Sequence, residues 1–168
     1  SYVCELKIDG VAVSLIYRNG LLEAGVTRGD GNQGEEITSN IKTISSLPLI
    51  IKDKSDLDIR GEVYLKRKNF NALNQRRAIN GDSLFKNPRN SAAGSIRLLD
   101  STETRRRKLD VFIYNIAEGG PQENHTGNLD YLRQMDFPVN KETKLADTIE
   151  EAVEYCRYWE EQKQYLPY

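Results

Sequence analysis

The chain has 168 residues and a formal net charge of −1. A chain of this length buries roughly 70% of the surface that its unfolded form exposes, so we expect one domain with its own hydrophobic core that needs no disulfide. The sequence has no apolar run of about 18 residues and no signal-peptide pattern, which argues against membrane insertion and export.

The first predicted element is a strand over residues 5–9 that runs into a turn at Gly10. Period-two alternation places Glu5, Lys7 and Asp9 on one face, so a lysine at a buried edge lies between two carboxylates. Such a lysine is either a member of an ion pair or a nucleophile. On spacing alone the ion pair is the more frequent outcome, because structural ion pairs also perturb lysines.

A β-hairpin is predicted next. Residues 11–17 and 21–26 are rich in apolar side chains and flank Asn19-Gly20, the strongest short hairpin signal in a sequence. The two strands are therefore expected to pair in antiparallel fashion.

The loop at residues 29–34 has the G-x-G-x-x-G spacing of a dinucleotide-binding fingerprint. Two features argue against that kind of site. Glu35 and Glu36 would put negative charge where a helix N-terminus receives a pyrophosphate. The preceding strand also belongs to an antiparallel hairpin, whereas the fingerprint needs a parallel crossover. We expect the glycines to shape a tight loop that presents Arg28.

The remaining elements alternate between helices and strands. Predicted helices cover residues 35–44, 66–79, 129–135 and a last segment that begins at Thr148, and predicted strands cover residues 57–65 and 109–117. The second of these strands has apolar residues on both faces, which is typical of a central strand. Hairpins combined with separate helices favour an α+β fold over a doubly wound sheet.

The last helix carries a capping box, in which Thr148 is followed three residues later by Glu151. Its predicted inner face consists of Ile149, Ala152, Val153, Cys156 and Trp159. Cys4 and Cys156 match no metal or redox spacing, which predicts buried, reduced thiols in a cytoplasmic protein.

Charge is unevenly distributed along the chain. Residues 86–108 contain seven Lys and Arg side chains against two carboxylates, whereas residues 142–168 contain seven carboxylates against three cations. A local basic patch in a near-neutral domain can contact phosphates. For residues 105–108, a solvated charged face is an equally good interpretation.

Four blocks of the sequence resemble known enzymes. Lys7-x-Asp9-Gly10 resembles motif I of the covalent nucleotidyltransferases, the DNA ligases, RNA ligases and capping enzymes that attach a nucleoside monophosphate to a lysine. The other three blocks are TRGDGNQGEEIT at 27–38, RGE at 60–62 and NPRNSAAGSIR at 87–97. In this order and spacing they are similar to the adenylation domain of the bacterial NAD-dependent DNA ligases, over essentially the whole chain.

The resemblance implies a fold and an organisation. The fold would be α+β, with antiparallel sheets and flanking helices, as in the ATP-grasp-like nucleotidyltransferases. Residues 1–168 would be part of an adenylation domain, running from the lysine motif to just before further lysine motifs that contact the nucleotide. The chain would then be an internal fragment of a longer ligase and inactive by itself.

The resemblance also implies a reaction. Lys7 would take the adenylyl group from NAD to form lysyl-AMP, pass it to the 5′-phosphate of a nick in duplex DNA, and AMP would leave as the nick is sealed. Lysine attacks only as a free amine, and its ordinary pKa of about 10.4 keeps it protonated at neutral pH. Carboxylates alone raise that pKa, so cations must be present as well.

Site roles follow from the same similarity. Glu5 would read the adenine amino edge, Arg28 would lie beside the nucleotide, and Glu62 would serve the ribose and a metal. Asp9 and Glu62 would hold a hydrated Mg²⁺, which needs only one or two carboxylates.

Two arginines are assigned to DNA. Arg89 and Arg97 would meet phosphates, because the planar guanidinium suits bidentate phosphate contact; a surface ion pair is the alternative for both. NAD and nicked duplex DNA are the implied partners of a monomer without a membrane partner. Zinc is expected only in a C-terminal part of the parent enzyme.

Two other functions remain open at this point. An ATP-dependent nucleotidyltransferase such as an RNA ligase would share the lysine motif, but not the blocks at 27–38 and 87–97. A catalytically silent DNA-binding module would not need Lys7.

Overall fold

The computed structural model describes residues 1–29, 34–121 and 124–168. The strands are β1 Tyr2–Cys4, β2 Val11–Arg18, β3 Leu21–Thr27, β4 Leu57–Tyr64, β5 Asp110–Glu118 and β6 Lys144–Ala146. The helices are α1 Thr38–Ile41, α2 Arg67–Ile79, α3 Pro88–Ile96, α4 Ser101–Arg107, α5 His125–Gln134 and α6 Ile149–Gln162, followed by a short 3₁₀ turn at Lys163–Tyr165. The strand pairs between these elements are antiparallel, which confirms the α+β prediction.

The larger sheet has the strand order β3-β2-β4-β5. The hairpin between β2 and β3 is confirmed: Asn19 and Gly20 both have positive φ, 49° and 76°, as a two-residue turn of this kind requires. The predicted central position of β5 is wrong, because β5 is an edge strand. The backbone of a later loop covers this edge, where Ile113 N–H donates to the Pro138 carbonyl at 2.8 Å.

The two faces of this sheet differ in burial. Along β2, the side chains of Val13, Leu15 and Tyr17 are buried, whereas their neighbours on the other face are only half-buried. Helices contribute further core residues, among them Ile41, Leu73, Ala92, Ile96, Leu129 and Leu132. The half-buried face is the one that carries the candidate site.

The predicted strand over residues 5–9 is wrong. Strand β1 ends at Cys4 and pairs with β6 in a separate two-stranded sheet, and residues 5–9 have no regular secondary structure. The next strand, β2, already belongs to the larger sheet. Residues 5–10 therefore connect two sheets, which explains why they have no strand partner.

The predicted helix over residues 35–44 is shorter in the structure, where only α1 is helical. After Ile41 the chain continues in tight turns, in which Ile44 N–H donates to the Ile41 carbonyl at 3.0 Å. The isoleucines at 37, 41 and 44 are nevertheless buried, as their spacing predicted. Helices α3 and α4 were not predicted. Asp100 is the N-cap of α4, and its C-cap Lys108 has a left-handed backbone (φ 55°).

Helix α6 starts as predicted but turns a different face inward. Glu151 N–H donates to Thr148 Oγ1 at 3.3 Å, which confirms the capping box. Ile149, Val153 and Cys156 are exposed, and Tyr155 is the buried side chain. The inward face is the one that packs against β1 and β6, and the Tyr155 hydroxyl donates to the Glu142 carbonyl at 2.6 Å.

Both cysteines are free thiols, but the prediction that they are buried is wrong: Cys4 is half-buried, and Cys156 is exposed because it lies on the outer face of α6. In the described ranges, the helices are too short or too polar to span a membrane.

Candidate active site

A cavity of about 750 Å³ lies between residues 5–12, helix α3 and strands β4 and β5. Across the sheet, Ala12, Glu62 and Phe112 stand in one row of the strand register, and all three line the cavity. The structure brings six of the seven predicted site residues to this cavity: Glu5, Lys7, Arg28, Glu62, Arg89 and Arg97. Asp9, the seventh, lines a neighbouring cavity of about 530 Å³, which Lys7 also lines.

Gly10 fixes the lysine segment against the sheet. Its N–H donates to Glu62 Oε1 at 3.2 Å. A Cβ atom at this position would lie 2.2 Å from the Val63 carbonyl oxygen, far closer than a real Cβ contact. Only glycine allows this approach, which gives the Lys-x-Asp-Gly motif a physical reason for its last residue.

Glu62 is the buried carboxylate of the site, with 8% of its surface exposed. Burial raises the pKa of Glu62, and the charge of Asp9 raises it further, while Lys7, the Gly10 N–H and Arg89 act in the opposite direction. Three charged side chains, Lys7, Asp9 and Arg89, therefore act on the carboxyl of Glu62. This arrangement is typical of functional sites, where ionisable groups are perturbed by burial and by specific partners.

Lys7 is exposed, so the prediction of a buried-edge lysine is wrong. Within the described parts of the chain, its Nζ forms no hydrogen bond and no ion pair. The ion-pair interpretation of Lys7 is thus not what the structure shows. An accessible lysine side chain at a cavity wall, outside any ion pair, can reach a bound substrate, as a nucleophile must.

The two arginines of the block at 87–97 lie at opposite ends of α3. Asn87 caps the helix by accepting the Asn90 N–H at 2.8 Å, and Arg89 follows in the first turn, where it donates to Asp9 Oδ1 at 3.1 Å. Arg97 is the C-cap of the helix.

Arg97 forms an ion pair with Glu35. In this structure both arginines therefore form ion pairs, which was the alternative to phosphate binding. Both also line the cavity.

A buried amide supports the end of α3. Asn40 is 5% exposed, and its Nδ2 donates to the carbonyls of Ile96 and Leu98, both at 2.7 Å. These carbonyls flank Arg97 directly. Thr104 completes the set, since its hydroxyl donates to Asn40 Oδ1 at 3.1 Å. Sequence reasoning missed Asn40, because its partners are 56 and 58 residues away.

Arg28 lies where the hairpin enters the glycine-rich loop. Its backbone N–H donates to the Ala12 carbonyl at 3.0 Å. At the other end of the loop, a Cβ atom on Gly34 would lie 1.9 Å from the Thr27 carbonyl oxygen, so this glycine is required for a close backbone approach. The prediction that the loop presents Arg28 concerns residues 30–33, which lie outside the described residues.

Aromatic side chains of β5 were also missed. Phe112 and Tyr114 line the cavity. Burial raises the pKa of Tyr114, Glu62 raises it further, and Arg28 acts against this, so the phenol lies among the predicted site residues. The alternation along β5 could have found both, since it places them on one face.

The remaining missed residue is His125, the only histidine of the chain. Its Nε2 lies 2.7 Å from Glu5 Oε2.

Asp9 and Glu62 are the carboxylates that could hold a metal ion. The described residues contain no group of three or more His, Cys, Asp or Glu side chains that could hold a metal directly. Asp9 is exposed, and Glu62 has one oxygen that is not used by Gly10. Two such oxygen donors suit a hydrated Mg²⁺, which keeps most of its waters.

Comparison with known proteins gives one family. The family model "NAD-dependent DNA ligase adenylation domain" matches residues 1–168. Proteins named DNA ligase from Oceanobacillus iheyensis and Lysinibacillus sphaericus are each 49% identical to the chain over its full length, and one from Mesoplasma florum is 46% identical over 99% of it. The chain spans about a quarter of the length of these relatives, 25–26%.

Proposed function

Because the chain belongs to the family of NAD-dependent DNA ligase adenylation domains, we propose that its cavity binds NAD and that Lys7 is the residue that becomes adenylylated. The observation that carries this proposal is the position of Lys7. It lies at the wall of the cavity, between Glu5 and Gly10, and its amine forms no hydrogen bond or ion pair with a described residue. The larger activity proposed for the whole protein is the sealing of nicks in duplex DNA.

In the proposed first step, Lys7 Nζ attacks the α-phosphorus of NAD. A nitrogen–phosphorus bond forms, the bond from that phosphorus to the bridging oxygen breaks, and nicotinamide mononucleotide leaves with the electron pair. The amine proton passes to solvent. The product is lysyl-AMP, a phosphoramide that keeps the adenylyl group activated for transfer to the 5′-phosphate of a nick.

Positive charge at the cavity supports the attack of Lys7 on NAD. Lysine must lose its proton before it attacks, and nearby positive charge favours the neutral amine. Arg28 lines the same cavity as Lys7, and its guanidinium can also neutralise charge that develops on the α-phosphate. A hydrated Mg²⁺ held by Asp9 and Glu62 would supply further positive charge at the same place.

Recognition of the AMP half is assigned to the remaining cavity residues. Glu5 accepts a hydrogen bond from the 6-amino group of adenine, and the ring of Tyr114 offers a stacking surface. Arg28 lies beside the nucleotide. Glu62 contacts the ribose as well as the hydrated metal ion.

DNA binding is assigned to the ends of α3. Arg89 and Arg97 would exchange Asp9 and Glu35 for DNA phosphates, because a guanidinium binds phosphate in a bidentate manner. The exposed fractions of the two arginine side chains, 56% and 45%, leave them accessible to a duplex.

We further propose that residues 1–168 form part of an ATP-grasp-like adenylation domain in a monomeric, cytoplasmic ligase with no membrane partner. Zinc is not assigned to this chain.

The proposal is tested by label transfer. The full-length protein that carries this sequence is incubated with adenylate-labelled NAD and Mg²⁺, and labelled protein is measured on a denaturing gel. Lys7→Arg keeps the charge but should remove the label. Lys52→Ala, which removes an exposed lysine paired with Asp136, is the matched control and should label like the wild type.

The same assay separates the two alternatives. Label transferred from ATP and not from NAD would favour an ATP-dependent enzyme such as an RNA ligase. DNA binding without any label on the protein would favour a catalytically silent module.

A further inference from the structure

His125 contacts a residue that is 120 positions away in the chain. Its Nε2 lies 2.7 Å from Glu5 Oε2, and the two side chains are 34% and 25% exposed. Glu5 lines the cavity, whereas His125 does not. The imidazole therefore contacts the carboxylate without being part of the cavity lining.

Helix α5 fixes the position of His125. His125 is the first residue of α5, whose N-cap Asn124 accepts the Gly127 N–H at 2.7 Å. Two leucines of the helix, Leu129 and Leu132, have no exposed surface and belong to the core. The ring is thus held by an element that is anchored both by its cap and by packing.

The contact has a defined direction. An ionised carboxylate only accepts hydrogen bonds, so the proton of this contact is on Nε2. The bond occupies Oε2 of Glu5, and Oε1 is the oxygen left for another donor. A glutamate that is held at one oxygen loses much less rotamer freedom on binding a ligand than an unrestrained one.

We propose that His125 is a positioning residue for adenine recognition, which holds Glu5 so that its second oxygen faces the 6-amino group of the base. This inference rests on the proposed function, since it assumes that Glu5 reads the adenylyl group. It adds a source of specificity. A fixed carboxylate accepts from a 6-amino group and repels the oxygen of a 6-oxo purine, whereas a mobile one can turn away.

The test uses initial rates of lysyl-AMP formation by the full-length protein, with NAD and with its hypoxanthine analogue as substrates. His125→Ala should raise KM for NAD about tenfold, as expected for the loss of one charge-assisted hydrogen bond, and should change kcat much less. The same substitution should also lower the ratio of kcat/KM for NAD to kcat/KM for the hypoxanthine analogue by a similar factor.

Conservative variants separate positioning from folding. The amide nitrogen of Gln reaches about as far as Nε2 of His, so His125→Gln should restore much of the KM and the preference; His125→Asn is too short and should not. Asp130→Ala, on the exposed side of the same helix, is the matched control. Adding His125→Ala to Glu5→Gln should have little further effect on KM.

The outcomes are distinct. If the wild-type protein forms no lysyl-AMP, the proposed function fails. If it does, and all His125 variants retain the wild-type KM and base preference, the positioning role is overturned. If the Gln and Asn variants lose activity equally and in proportion to a fall in melting temperature, His125 is a structural residue and the inference is also overturned.

Discussion

Gly10→Ala is a small substitution with a large expected effect. The new methyl group would lie 2.2 Å from the Val63 carbonyl oxygen and 3.0 Å from Glu62 Cγ. Ordinary contact begins at about 3.4 Å, and the carbonyl belongs to the centre of the larger sheet, where β4 pairs with both β2 and β5. The lysine segment must therefore move away from β4 by about 1 Å.

Two consequences can be given magnitudes. The shift breaks the bond from Gly10 N–H to the Glu62 carboxylate, and losing a hydrogen bond to a charged group lowers the free energy of unfolding by about 2 kcal/mol. Lys7 is displaced with the segment. A displacement of about 1 Å in a reacting group can reduce the rate about a hundredfold.

The assay is single-turnover formation of lysyl-AMP at saturating NAD, together with urea unfolding. Gly81→Ala is the matched control: its φ of +75° disfavours alanine, but no atom lies within 4 Å of the new Cβ and the position is not part of the cavity. It should lower stability by about 1 kcal/mol and leave the rate unchanged. A wild-type rate in Gly10→Ala would refute the claim that this glycine positions Lys7.

Three further substitutions test other parts of the site. Glu62→Gln should slow lysyl-AMP formation about a hundredfold yet make the protein more stable at neutral pH. Burial raises the pKa of Glu62, so the contribution of Glu62 to stability is fully present in acid and is lost as the pH rises through the folded pKa. The difference in unfolding free energy between the two proteins should therefore vanish in acid; equal stability at pH 7 would contradict this. Arg89→Ala and Arg97→Ala should impair nick sealing but not lysyl-AMP formation, and each should lower the salt dependence of nick binding by about one unit of slope; loss of lysyl-AMP in a folded variant would move that arginine to the nucleotide site. Asn40→Ala should lower the free energy of unfolding by about 2 kcal/mol and share the sealing defect of Arg97→Ala, whereas intact sealing would show that Asn40 does not position Arg97.

Local signals account for the parts of the fold that were predicted from sequence. The hairpin follows from Asn19-Gly20, because a two-residue turn fixes its own strands. The capping box at Thr148 also depends only on neighbours. By contrast, the edge of β5 is covered by backbone that arrives some 25 residues later, at Pro138, and alternation within β5 does not distinguish this cover from a neighbouring strand.

In the candidate site, too, local features were predicted and long-range contacts were not. The residue types around Lys7 pointed to the chemistry, but not to the loss of strand structure, since that depends on which strand Cys4 and Val11 join. His125 and Asn40 could not be predicted. His125 makes one polar contact across a long stretch of chain and Asn40 makes three, and no periodic pattern records such contacts.

The most direct test of the account is the identity of the adenylylated residue. The full-length protein is incubated with NAD and Mg²⁺, digested, and its peptides are mapped by mass spectrometry. The account predicts AMP on the Nζ of Lys7 and unmodified protein for Lys7→Arg. AMP on any other residue, or adenylylation that persists in Lys7→Arg, would contradict it.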